Sequence, residues 1–310
     1  FTLFRTPAIT ATPKRGVKTP LEFYSGPQYE TWAANHNTDT YTVKHYKGLG
    51  TSTAAQGKQY FRDLAKNQVT FETDSSELDL FFNGKRADDR KVWLAQNTRP
   101  ADTDSTRVTF KDFKNRQLFD FSIDANQRSI PDLRDGLKPS LRKIVWTLFD
   151  KYKGSTNEIK IMQLGSSVAE HSAYAHGENS LVEAIFGMCQ DYYSSANNCN
   201  LLDGVGQVGD GLANGKNHAS ARYVFAKLST LGRMIFKPVD DNILPNQVEE
   251  GQTVQKEAYI GVVPMCLING VIGIGLGYST QIPPHNPVDV ISNLRQKLNG
   301  GAFTEMVPYY

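Results

Sequence analysis

Three cysteines in 310 residues, Cys189, Cys199 and Cys266, are too few and too scattered for a disulfide framework. No Cys-x-x-Cys pair offers a thiolate zinc site, and a reducing compartment fits that usage. No apolar run approaches the ~18 residues that a membrane span needs. No charged start followed by an apolar core marks a secretion signal. Neither sign of charge dominates: 34 Lys and Arg against 32 Asp and Glu leave a formal net charge of +2, so composition alone does not flag a nucleic-acid binder. The G-x-x-x-x-G-K-[S/T] loop of an ATPase is also missing, which places any ATP-hydrolysing part outside this stretch. What is there is a globular composition, long enough for one large or two to three ordinary domains. Its charge is uneven. Residues 1–150 hold 23 basic and 18 acidic side chains, and residues 151–310 hold 11 and 14; a basic first half favours contact with a polyanion. The chain begins at Phe1 and stops at Val307-Pro-Tyr-Tyr310 without a capping element, and reads as a piece of something longer.

The segment Asn214-Gly-Lys-Asn-His-Ala-Ser-Ala-Arg222-Tyr223-Val-Phe-Ala226 is the most informative. A tyrosine after an arginine, in a run of short side chains behind a Gly/Asn loop, reads as a presented nucleophile. Tyrosine attacks phosphorus poorly at its free pKa of about 10. A forked, permanently charged guanidinium beside it stabilises both the phenolate and the charge growing on a phosphate. Arg-Tyr alone is common and usually no more than a surface strand pair, so the rest of the chain must decide.

Tyr41–Tyr46 alternates like a strand, Lys47-Gly-Leu-Gly-Thr51 breaks it, and a helical stretch with Ala54, Tyr60, Phe61 and Leu64 follows. The stretch from Asn83 to about Thr106, rich in Arg, Lys and Asp and poor in apolar period apart from Val92-Trp93-Leu94, is expected to be a short helix plus a linker, hence a domain boundary, placed at residues 87–118. After Pro139, a good first helical residue, Leu141, Ile144, Val145, Leu148, Phe149 and Tyr152 trace one buried stripe, with Arg142 beside it and free to point elsewhere. Leu181, Ala184, Ile185 and Met188 trace a second helix from about Glu178. Two helices and a Gly/Asn-rich ribbon suggest a helix-turn-helix with a wing. Ser229 or Thr230 caps a further helix, and Asn269-Gly270 marks a tight turn in the glycine-rich stretch from Tyr259 to Thr280.

Four pieces together resemble the type IIA DNA topoisomerases, in particular their eukaryotic and large-DNA-virus branch. They are Tyr46-Lys-Gly-Leu-Gly-Thr-Ser52; Arg128-Ser-Ile-Pro with Asp135-Gly-Leu-Lys-Pro139 and Arg142-Lys143; Ser172-Ala-Tyr-Ala-His176-Gly-Glu178; and Ala221-Arg-Tyr223 with Pro264-Met-Cys-Leu-Ile-Asn-Gly270 and Gly273-Ile-Gly275. Their order and spacing match across nearly the whole chain. The resemblance implies an α/β multidomain fold: the C-terminal part of a Toprim domain (1–86), the linker (87–118), a winged-helix domain (119–262) and the beginning of a tower domain (263–310). It further implies an ATP-dependent enzyme that cuts and reseals duplex DNA through a 5′-phosphotyrosine. Tyr223 would be the nucleophile, Arg222 the transition-state cation, Arg142 a second cation near the scissile phosphate, and His176 the group that helps deprotonate the tyrosine. Lys47 and Lys138 would touch DNA phosphates, and Ile274 would be a wedge between base pairs. Mg²⁺ and ATP are implied as cofactors, the Mg²⁺ ligands mostly outside this stretch and the ATP site outside it, and no metal ligands are assigned here. Double-stranded DNA and a second copy of the chain are the implied partners. The implied compartment is the nucleus, or the host cytoplasm for a viral member.

The chain departs from the family pattern in two places. Ala175 stands where a first histidine is usual, and the loop before the tyrosine has Asp210-Gly211 for Thr-Arg and Asn214 for glycine. Other readings compete. Without the acidic metal ligands, which precede Lys47-Gly-Leu-Gly50 in the family, the chain could be a DNA-binding module with no chemistry. Asp102-x-Asp104 looks like a metal pair but follows that motif, within the linker. Gly273-x-Gly-x-Gly277 suggests a dinucleotide loop, though the third glycine comes too early for one.

Overall fold

The computed structural model describes residues 1–72, 76–102, 105–249 and 251–309; Asp104 lies outside them. The chain divides into two compact units, Phe1–Ile123 and Asp124–Tyr310, each with both helices and strands.

The first unit carries two small sheets. In one, β1 (Thr2–Phe4), β5 (Gln68–Glu72) and β6 (Arg107–Thr109) lie in that order, β1 antiparallel and β6 parallel to β5. In the other, β2 (Ile9–Pro13) lies between β3 (Leu21–Phe23) and β4 (Tyr41–His45), all antiparallel. Ile9, Ala11 and Phe23 form its buried centre, against Tyr29 and Trp32 of α1 (Gly26–Ala33). The expected strand and helix either side of Lys47 are present as β4 and α2 (Ala54–Arg62), the latter opened by a reciprocal Thr53–Gln56 capping box. The short helix expected in the stretch 87–118 is present as α3 (Ala87–Gln96), β6 follows it, and the unit runs on to Ile123. The packing of α3 rests on Trp93 and the buried Leu94 rather than on a long apolar stripe. Trp93 meets Phe81 and Phe119 edge to face at 5.1 and 5.7 Å, and its indole N–H donates to Asn115.

α4 (Phe119–Ser129) starts in the first unit and ends in the second, where the turn at Asp132–Leu137 and α5 (Pro139–Asp150) follow. α5 packs with α6 (Ile161–His171) and α7 (Glu178–Cys189) over a small antiparallel sheet. That sheet has β9 (Phe225–Leu228) between β7 (Ile159–Lys160) and β8 (Leu202–Val205). The stripe read from the sequence is the core: Ile144, Leu148, Ile185 and Leu181 are buried with Ile161, Leu164, Val168, Leu202 and Leu228. Each such side chain contributes about 1.5–3 kcal/mol relative to exposure.

Helix α6 is not legible from the sequence. Its first two amide N–H groups donate to the carbonyls of Val224 (3.0 Å) and Ala221 (3.1 Å), a cap supplied from far along the chain. α8 (Thr230–Ile235) begins after Ser229 as expected, but the Ser229 hydroxyl donates to the Asn200 carbonyl instead of capping it. Beyond lie the hairpin β10–β11 (Asn246–Glu249, Gln252–Lys256), the hairpin β12–β13 (Val271–Ile274, Ser279–Ile282) and α9 (Pro287–Leu298).

Candidate functional site

The carbonyls that cap α6 also fix the tyrosine. Ala221 and Val224 are buried, and the two residues between them, Arg222 and Tyr223, are exposed. Tyr223 is 67% accessible, on a turn closed by its own N–H to the Ser220 carbonyl at 2.9 Å. The Arg222 guanidinium lies 5.1 Å from the centre of the Tyr223 ring, close enough to interact with its face. A hydroxyl and a cation are thus displayed together on backbone that is anchored on both sides.

The loop before them is tied down too. Asp210 and Asn217 exchange bonds, Asp210 N–H to Asn217 Oδ1 at 3.0 Å and Asn217 Nδ2 to Asp210 Oδ2 at 2.9 Å. Asn214 takes φ +49°, a region that asparagine tolerates and that suits the glycine usual there. His218, for which the sequence suggests no role, stacks on Phe186 of α7 at 3.7 Å and contacts Glu183 at 3.2 Å. A lone histidine in a polar loop gives no signal of such a clamp.

His176 is exposed, beside Tyr174 with ring centres 5.4 Å apart, one residue before the N-cap of α7. It lies beyond the C-terminal end of α6, and Tyr223 is fastened to the N-terminal end. The eleven residues of α6 span about 16 Å. Lys143 reaches the same region: its buried ammonium donates to the Ser172 carbonyl at 2.6 Å and faces Glu249 at 3.4 Å. Burial lowers its pKa, and the Glu249 charge opposes the shift.

Arg142 is paired within the chain. It is 4% exposed and forms a two-pronged pair with Asp135, which is fully buried: Nε to Oδ2 at 2.6 Å, Nη2 to Oδ1 at 3.0 Å. A further bond goes to the Leu137 carbonyl at 2.9 Å. The Asp135 carboxylate also accepts the N–H groups of Leu137 and Tyr259. The guanidinium ties the 132–137 turn to α5. Gly136, at φ +71°, completes that turn; a Cβ there would sit 2.9 Å from the Cys266 amide nitrogen. The sequence places Arg142 off the apolar stripe correctly, but it carries no sign that Asp135, seven residues earlier, receives it.

Lys138 and Ile274 do come together, with Arg128, Ser129 and Ile272, around one shallow depression. Lys138 precedes α5, whose N-terminus has no side-chain cap, so its first amides suit an external anion. Ile274 is 78% and Ile272 is 62% exposed on the outer face of β12. The inner face is glycine by necessity: a Cβ on Gly273 would lie 2.6 Å from the Ser129 carbonyl, and one on Gly275 would lie 2.0 Å from Asn126 Oδ1. Ile274 is thus a surface residue, and Ile272 is a second one that the alternation Val271-Ile-Gly-Ile274 could have revealed. The dinucleotide reading fails here, because Gly273 lies within an antiparallel hairpin and opens no helix. Lys47 is exposed in the turn after β4, in the first unit, where Gly48 takes φ +71°.

Among the described residues, no three His, Cys, Asp or Glu side chains are grouped to hold a metal ion.

The chain is similar to known proteins over nearly its whole length. The family that describes the A-type subunits of DNA gyrase and topoisomerase IV matches residues 128–310, and the C-terminal associated domain of TOPRIM matches residues 4–126. DNA topoisomerase 2 of Bombyx mori is 42% identical over 326 residues, and that of Arabidopsis thaliana 43% over 315; each match takes in 99% of this chain and 21% of the relative. The chain thus spans about a fifth of the length of the curated relatives it matches. A crystal structure of the Plasmodium falciparum topoisomerase II DNA-binding, cleavage and re-ligation domain superposes with a TM-score of 0.82 at 38% identity, over 100% of this chain and 42% of that one. These relatives are eukaryotic, and the viral half of the expected branch draws no support from them. Since the gyrase/topoisomerase IV match by itself takes in more than half of the residues, the chain belongs to the DNA gyrase/topoisomerase IV A-type family of type IIA topoisomerases.

Proposed function

We propose that this chain is the strand-cutting and resealing core of a type II DNA topoisomerase, with Tyr223 as nucleophile. The observation that carries the reading is the exposed Arg222–Tyr223 pair held between two buried, hydrogen-bonded neighbours. The Tyr223 oxygen attacks a backbone phosphorus, a new P–O bond forms to the 5′ phosphate, and the 3′ oxygen leaves as a hydroxyl. One phosphodiester replaces another, so the reverse attack by that hydroxyl reseals the strand without an external energy source. Arg222 stabilises the phenolate and the extra charge on the phosphate. His176 takes the phenol proton. Because α6 separates it from Tyr223 within one chain, a second copy is the natural source of that contact. Cutting both strands of a duplex also needs two tyrosines, and each chain supplies one, so the working form is a homodimer. Magnesium and ATP act through parts of the parent protein outside this stretch. Double-stranded DNA as substrate, together with the eukaryotic relatives, favours a nuclear address. No helix among the described residues is long and apolar enough to cross a membrane.

The test mixes full-length protein with supercoiled DNA and Mg²⁺, then traps with detergent. Linear DNA with protein attached at its 5′ ends is expected; tight binding without any adduct would leave only a DNA-binding module. In the same assay Arg222→Lys is expected to lose about a hundredfold in cleavage, on the order of 3 kcal/mol, because an ammonium cannot hold two phosphate oxygens at once. Near wild-type cleavage would remove Arg222 from the reaction.

The Lys138–Ile274 depression is the DNA-bending surface in this reading. Wedging an apolar side chain between base pairs costs a few kcal/mol of unstacking and yields a bent duplex. Ile274→Ala is expected to reduce bending, read by energy transfer across a short duplex, while stability stays within about 0.5 kcal/mol. Gly273→Ala is the contrast. It drives a methyl group against backbone and is expected to cost about 1–3 kcal/mol. A large fall in melting temperature for Ile274→Ala with unchanged bending would make it a packing residue.

A further inference from the structure

Lys160, far from Tyr223 in sequence, lies beside it in the fold. It is the last residue of β7 and pairs with Phe225 of β9 in antiparallel register. The Ile161 N–H donates to the Val224 carbonyl at 3.0 Å, which carries the pairing on toward the Arg222–Tyr223 turn. Burial alternates along that stretch: Tyr223 is exposed, Val224 buried, Phe225 half-buried and Ala226 buried. Tyr223 and Phe225 therefore share the solvent side. Residues opposite each other in an antiparallel pair point the same way, and the Lys160 ammonium accordingly lies 5.9 Å from the centre of the Phe225 ring. Two residues along a strand span about 7 Å, so Tyr223, Phe225 and Lys160 make one short row on the surface.

The charges on this face are unevenly matched. Lys227 is the next outward residue of β9, and Asp203 of β8 stands opposite it in register. Lys160 is exposed and stands opposite an aromatic ring instead of a carboxylate. Among the described residues its ammonium makes no ion pair or hydrogen bond, and Glu158, two residues earlier, makes none with it. Arg222, over the Tyr223 ring, is the other cation of the row. A lysine laid across an aromatic ring and left without a counter-charge is a ready phosphate contact, because a phosphate supplies the missing charge. A DNA strand carries one charge per ~3.4 Å of helix axis. A duplex whose phosphorus sits at the Tyr223 hydroxyl therefore brings a flanking phosphate within reach of Lys160.

We propose that Lys160 holds the DNA phosphate next to the one that Tyr223 attacks. The proposal rests on Tyr223 as the nucleophile. Contacts to phosphate fix the register of a duplex and carry no sequence information, so Lys160 sets the scissile phosphorus before the phenol and leaves site choice alone. The test uses full-length protein carrying Tyr223→Phe, so that duplex binding is titrated over a range of salt without cleavage. Each phosphate neutralised adds about 0.9 to the slope of log affinity against log salt. Lys160→Gln, which removes one lysine from each chain of a dimer, is expected to lower that slope by about 2. Lys160→Arg keeps the charge and is expected to keep the slope. Lys151→Gln is the control: it removes the same charge from a lysine already paired with Glu170 at 2.9 Å, and its slope is expected to match the wild type. With Tyr223 present, Lys160→Gln is expected to slow cleavage about tenfold at unchanged sites, and Lys160→Arg to restore it. A Lys160→Gln slope equal to that of the Lys151→Gln control would overturn the proposal, whatever the cleavage assay gives. A lowered slope in a protein whose wild type forms no adduct would confine the failure to the Tyr223 reading.

Discussion

Tyr223→Phe is expected to abolish the covalent protein–DNA adduct, lowering cleavage by at least ~10⁴-fold, as loss of a nucleophile does elsewhere. Duplex affinity should stay nearly intact, because binding comes mainly from phosphate contacts of lysines and arginines. The side chain is two-thirds exposed and the turn is held by backbone bonds, so removing one oxygen touches no core contact. Stability should therefore stay within about 0.5 kcal/mol. Gel separation of labelled duplex after detergent and protease treatment reads the adduct, and a filter-binding titration reads affinity. An adduct that persists in the variant would assign the nucleophile elsewhere.

The second large effect concerns stability. Arg142→Met leaves the Asp135 carboxylate buried with only two backbone N–H groups to match its charge. Breaking a buried ion pair by removing one partner costs about 3–5 kcal/mol, and here the 132–137 turn loses its tie to α5 as well. The double variant Asp135→Asn, Arg142→Met is expected to recover part of the loss, because the lone charge is gone. Denaturant melts of the wild type and of the single and double variants check this. A single variant as stable as wild type, but deficient in cleavage, would restore Arg142 to the phosphate-contacting role that its motif suggests.

The fold is legible where the pattern is local. The α5 stripe from Leu141 to Phe149, the start of α7 at Glu178 and the strand–turn–helix around Lys47 follow from spacing and from Pro139 alone. It is not legible where a bond comes from far along the chain. Helix α6 is opened by the carbonyls of Ala221 and Val224, some sixty residues away. The site divides in the same way. Arg222 and Tyr223 are neighbours in sequence, so their pairing can be read directly. For Ile274 the alternation Val271-Ile-Gly-Ile274 gives the face it shares with Ile272, but not which face is covered, which depends on Ser129 and Asn126 closing on Gly273 and Gly275. Arg142 escapes for a related reason: a buried arginine is rare without a partner, and Asp135 becomes that partner only when the turn closes.

The most direct measurement is the identity of the residue that holds DNA. Full-length protein is trapped on a duplex with detergent, digested with protease and nuclease, and the nucleotide-bearing peptide is sequenced by mass spectrometry. The account predicts one peptide, modified at Tyr223 through a 5′-phosphate. A nucleotide on another exposed tyrosine, such as Tyr193 or Tyr278, or a linkage through a 3′-phosphate, would contradict it.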